Sequence, residues 1–96
     1  MLFVAIWEQP WDNVQTFNAK RKAWYSKVKP DTLKVLGAYS LQGPTSKGVT
    51  LFETDRIEDV NLYRNYFALA GASIDIRPAI DYSKSMEVVE SLLARW

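Results

Sequence analysis

The segment Leu2-Phe-Val-Ala-Ile-Trp7 is apolar at every position, and this constrains the fold more than any other feature. Side chains alternate across a strand, so such a run has no wet face and belongs in the middle of a sheet, covered on both sides. It is too short to cross a bilayer, and it runs into Glu8 without a basic leader, so it reads as neither a membrane span nor a signal peptide. A cytoplasmic location is the expectation that follows.

The rest of the chain supplies the partners for that strand. Asp12, with Gln15 three residues on, has the pattern of a helix cap. Val14, Phe17, Trp24, Tyr25 and Val28 then recur on one helical face, with Lys20, Lys22 and Lys27 off it, and Pro30 ends the helix. Arg21 lies nearer the apolar side, where its stem can pack and its head reach water. Residues 33–42 and 49–54 read as two strands joined by the turn-rich Gly43-Pro-Thr-Ser-Lys-Gly48, a hairpin. Asp55 and Glu58 have capping-box spacing before a second helix, whose apolar face is Val60, Tyr63, Tyr66, Phe67 and Ala70 and which stops at Gly71. Residues 72–80 form a fourth strand, with Pro78 restricting it to a sheet edge. A last helix spans roughly 83–95, with Met86, Val89, Leu92, Leu93 and Trp96 on its apolar side.

The order β-α-β-β-α-β plus a C-terminal helix predicts one α+β domain over residues 1–96, with the ferredoxin-like plan: a four-stranded antiparallel sheet and both long helices on one face. The first and third strands are central. The first strand is apolar on both faces, and the third repeats this with Val49 and Leu51 against Phe52. An apolar second sheet face needs a cover, either the C-terminal helix or the sheet of a second copy. Face-to-face packing of two copies gives a homodimeric α+β barrel, which is the expected state.

Composition removes many chemistries. There is no Cys and no His, which excludes disulfides, thiolates, Ser-His and Cys-His nucleophiles, and the commonest metal and haem ligands. No cofactor is expected. Twelve basic against eleven acidic side chains give no electrostatic footprint for nucleic acid or an acidic membrane surface.

Five features invite a chemical reading. Asp75 and Arg77 share a face of the fourth strand; Arg77 can hold a carboxylate and a desolvated Asp75 can act as a base, or the two can simply pair at the sheet edge. Trp7 with Glu8 can form a pocket wall and an acid, or a core indole beside a solvated carboxylate. Tyr39, on the face of Val35 and Leu41, can orient a ligand with its phenol or pack with its hydroxyl at the rim. Asp55, Glu58 and Asp59 resemble a cation site, but capping and the helix dipole explain their place at a helix start. The RNA-recognition motif shares this topology; Leu2–Trp7 fits its first signature, whereas Lys47-Gly-Val-Thr-Leu-Phe52 fits the other poorly, with Val49 and Thr50 where an aromatic and a small residue belong.

The opening Met1-Leu-Phe-Val-Ala-Ile-Trp-Glu8, the Lys34-Val-Leu-Gly37 segment, the hairpin bounded by Gly48 and the acidic start of the second helix resemble an uncharacterised prokaryotic family, the domain of unknown function 3303. That family is grouped with the dimeric α+β barrels, beside the YCII-like and antibiotic-biosynthesis-monooxygenase-like proteins. The resemblance implies the fold and the dimer and brings no catalytic residues. The His-based sites of the YCII-like and haem-degrading relatives have no counterpart in a chain without histidine. The expected function is binding of a small, partly apolar ligand lined by Trp7, Tyr39, Phe52 and Arg77. The alternative is a cofactor-independent monooxygenase or isomerase acting on an aromatic substrate, with Asp75 or Glu8 as base, and a third reading is an RNA-binding module.

Overall fold

A computed structural model describes residues 1–9, 12 and 14–95. Its elements are β1 (Leu2–Gln9), α1 (Val14–Ala23), a π-helical turn (Trp24–Val28), β2 (Lys34–Leu41), β3 (Ser46–Glu53), α2 (Ile57–Leu69), β4 (Ser73–Ala79) and α3 (Tyr82–Arg95). The sheet is antiparallel with strand order β2-β3-β1-β4. This is the ferredoxin-like α+β arrangement with an added C-terminal helix. The apolar first strand is central, and Pro78 sits on an edge strand whose only neighbour is β1, opposite Phe3.

Alternation along β1 sorts the two faces. Phe3, Ala5, Trp7 and Gln9 point to the helices, whereas Leu2, Val4, Ile6 and Glu8 point away. On the helix side the core is aromatic. Trp24, fully buried, packs edge-on to Tyr63 at 5.4 Å and lies 5.5 Å from Phe67. Phe52 stacks on Tyr63 at 5.0 Å and on Phe3 at 5.5 Å. Rings of this size supply much burial per residue, which a chain of 96 residues needs. Gly48 pairs with Trp7 across β1 and β3, and the indole lies flat over it; a Cβ there would penetrate the ring.

Helix ends follow local chemistry. Gly71, with φ 99°, closes α2: its N–H donates to the Ala68 carbonyl, and the Ala72 N–H donates to the Phe67 carbonyl, the paired bonds of a Schellman motif. The expected Asp55 cap does not form. Asp55 accepts from the Met1 ammonium at 2.9 Å, and the N-cap residue of α2 is Arg56. Thr54 instead shapes the turn that leads into α2: its hydroxyl accepts from the Arg56 N–H at 3.1 Å and donates to Asp59 at 2.7 Å. Asp59 is buried and also accepts from the Thr32 hydroxyl at 2.6 Å. The acidic cluster is thereby split: Asp59 ties the approach to β2 to the start of α2, Glu58 faces Arg56 at 3.8 Å, and Asp55 holds the N-terminus. α1 starts at Val14, two residues after the expected cap Asp12, which is exposed; Pro10 and Trp96 fall outside the described residues.

β2 also departs from expectation. A bulge between Val35 and Gly37 inserts Leu36, so Val35 pairs with Phe52 on the helix side while Tyr39 pairs with Val49 on the other. Tyr39 therefore shares a face with Leu41 but not with Val35, because one extra residue inverts every side chain beyond it. β3 starts at Ser46 rather than Val49, since Lys47 and Ser46 complete the ladder to Glu8 and Gln9.

The far face of the sheet has no helix over it. Val4, Ile6, Val49 and Leu51 form an aliphatic strip there, with Ile6 44% exposed. α3 does not fold back to cover it. Asp81 starts α3, its carboxylate accepting from the Ser83 N–H at 2.9 Å and from the Ser83 hydroxyl; these bonds hold the Asp81 carboxyl below the usual range. Beyond that start, α3 buries no side chain, and Leu92 and Leu93 are 59% and 67% exposed. The radius of gyration, 15.9 Å, exceeds the roughly 12.5 Å of a compact chain this long.

Candidate functional site

A cavity of about 230 Å³ lies between the helix side of the sheet and α1, at the end where β1 finishes and β3 begins. Its apolar walls are Trp7, Phe17 and Phe67; the Trp7 and Phe17 rings are 5.7 Å apart, and Phe17 and Phe67 5.9 Å. β2 closes one side with Ala38, Tyr39 and Ser40. Asn18, Arg21 and Tyr25, spaced along one helical face, border it on the other side, and the same three continue with Lys22 and Ser26 into a shallow outer groove.

The polar groups have defined partners. The Trp7 indole N–H donates to the Thr50 hydroxyl at 3.2 Å. Gln9, only 8% exposed, donates from Nε2 to the Ser46 hydroxyl at 2.8 Å, while its buried Oε1 has no partner among the described residues. Burial pushes the Tyr63 hydroxyl up to about 12 against the opposing hydrogen bond of Thr50. Burial also raises Tyr25, opposed by the positive charge of Arg21. Both phenols are therefore neutral donors at ordinary pH. Among the described residues the lining contains a single cation, Arg21, and no carboxylate.

The expected site residues separate. Trp7 and Tyr39 border the cavity, Tyr39 at the sheet edge with its ring lying across Gly37 on the far face. Phe52 is fully buried in the core behind Tyr63 and does not line the cavity. Arg77 and Asp75 lie on the far face, paired with each other at 3.2 Å and exposed. Glu8 is on that face too, 3.8 Å from Lys47, and Glu8 and Asp75 border a shallow groove there with Ile6 and Ser73. The two carboxylates considered as bases thus sit on the opposite side of the sheet from the cavity. Phe3, Trp7 and Phe52 all face the helices, so the central strands offer aliphatic side chains, not stacking rings, on the open face.

Gln9, Asn18, Arg21 and Tyr25 carry weak signals in the sequence. Gln9 continues the inward alternation of Phe3, Ala5 and Trp7 by one more step, which puts an amide where an apolar residue is expected. Asn18 and Arg21 border the apolar stripe of the first helix, and Tyr25, read as part of that stripe, continues them at three- and four-residue spacing.

The family model of a domain of unknown function, DUF3303, matches residues 1–93. The chain belongs to the DUF3303 family. No curated protein matches it. The family match spans both the sheet that floors the cavity and the helix that borders it, so the cavity belongs to the DUF3303 domain itself. Among the described residues, no helix of this DUF3303 chain is long and apolar enough to cross a membrane.

Proposed function

We propose that this DUF3303 protein is a homodimer of the dimeric α+β-barrel kind that binds a small, partly apolar ligand in the cavity between sheet and α1. The observation that carries the binding reading is the combination of aromatic walls from Trp7, Phe17 and Phe67 with a few converging polar groups, the usual composition of a small-molecule site. The dimer is supported by the uncovered strip of Val4, Ile6, Val49 and Leu51, which a second sheet would bury. The alternative, cofactor-independent oxygenation or isomerisation, gains nothing from Glu8 and Asp75, which lie away from the cavity.

Two measurements test the proposal. The melting temperature is followed across a library of small aromatic and aliphatic compounds; a dose-dependent rise that is lost in Trp7→Ala supports binding, and a flat response across the library refutes it. Light scattering over a dilution series tests the dimer. A persistent dimer that dissociates in Val49→Glu supports the sheet-to-sheet interface, and a monomer at all concentrations refutes it.

A further inference from the structure

The cavity has a chemical polarity that narrows its ligand. In its lining the Gln9 Oε1 is buried and has no partner among the described residues, although Nε2 of the same amide is anchored on Ser46. A buried amide oxygen without a donor is costly, and a ligand hydroxyl or N–H would satisfy it. At the α1 border stands Arg21, with no acidic lining residue among those described to neutralise it, and Lys22 lies next to it in the outer groove. The guanidinium forms no ion pair among the described residues. Tyr25, neighbouring Arg21, adds a neutral hydroxyl donor to the same border. Between the two polar ends lie the Trp7 and Phe17 rings.

The volume sets the size. An engineered apolar cavity of about 150 Å³ holds benzene. About 230 Å³ therefore accommodates one ring with a substituent at each end.

We infer that the cavity selects a monocyclic aromatic acid whose ring packs against the wall formed by Trp7 and Phe17, whose carboxylate is held by Arg21 and whose opposite hydroxyl or amino group donates to Gln9 Oε1. This inference rests on the ligand-binding reading above and adds to it the charge, the size and the orientation of the ligand. Arg21 suits the carboxylate because its planar fork donates two parallel hydrogen bonds.

The test uses four probes of one ring size: 4-hydroxybenzoate, benzoate, phenol and toluene, titrated against the full chain by tryptophan fluorescence and by amide chemical shifts. The expected order places 4-hydroxybenzoate first, at least tenfold tighter than phenol and severalfold tighter than benzoate. Arg21→Gln, a change at an exposed position, should cost 4-hydroxybenzoate and benzoate about tenfold and leave phenol unchanged. Gln9→Leu should abolish the preference for 4-hydroxybenzoate over benzoate; Gln9→Met, an unbranched replacement of similar length that also lacks the amide oxygen, gives the same readout should Gln9→Leu fail to fold. Equal binding of all four probes, unaffected by Arg21→Gln, overturns the inference while leaving a ligand cavity in place. Shifts confined to the Asp75 and Arg77 face overturn it too, and no binding of any probe overturns both it and the cavity reading.

Discussion

Replacing Tyr63 by Phe should flatten the alkaline end of the stability curve by a calculable amount. The phenol is buried against Phe52, Trp24 and Phe67, and burial pushes it up to about 12 from a model value of 10.0. Between these values the folded chain keeps a proton that the unfolded chain releases, so stability falls as pH rises through this window and is unaffected well below it. The full difference is two pH units at about 1.4 kcal/mol each, close to 3 kcal/mol. At pH 11 half of it, about 1.4 kcal/mol, has been lost. Urea unfolding of both proteins at pH 8 and pH 11 isolates the effect. Tyr63→Phe also forfeits its hydrogen bond with Thr50, but that penalty is the same at both pH values and cancels. The wild type should lose about 1.4 kcal/mol more than the variant between the two conditions. Equal losses would refute the reasoning, as would phenolate absorbance in the folded protein showing all five tyrosines titrating together near 10.

Three further outcomes are expected. Gly48→Ala drives a methyl into the Trp7 ring and should cost about 1–3 kcal/mol in urea unfolding, whereas Gly43→Ala, with open space around it, should stay within about 0.5 kcal/mol of wild type. Asp59→Ala leaves the Thr32 and Thr54 hydroxyls without their acceptor and should destabilise by roughly 2–4 kcal/mol, while Asp55→Ala, at the exposed N-terminal ion pair, should be close to neutral by the same denaturation assay. Leu92→Ser with Leu93→Ser should leave the unfolding free energy of a dilute monomer nearly unchanged, because both side chains are mostly exposed; a large loss in that measurement would show that α3 is held within the monomer.

Much of the architecture was legible because it rests on period. The fully apolar β1 announced a central strand, the stripe Val60, Tyr63, Phe67 and Ala70 announced α2, and Gly71 announced its end. What escaped is set by single residues acting at a distance. Nothing in Lys34-Val-Leu-Gly37 signals that Leu36 is extra, yet it decides that Tyr39 faces away from Val35. Capping patterns name Asp55, but the Met1 ammonium draws Asp55 off, and the Thr54 hydroxyl, one residue earlier, accepts from the Arg56 N–H instead. Tertiary geometry also governs the candidate site. Asp75 and Arg77 looked chemical because they are charged and share a face, whereas the cavity opens on the other side, next to the less conspicuous Gln9 and Arg21.

The two borders of the sheet have a consequence for how this protein can fail. An exposed edge strand is a template for another strand, and stacked edges are the route to fibrils. β2 presents its edge with a bulge that breaks the spacing of its free amides and carbonyls. β4 presents Pro78, which has no N–H to offer, beside the charges of Asp75 and Arg77. Neither border can be extended in register over its full length, so the uncovered apolar face is free to meet a partner without the sheet also growing sideways into an aggregate.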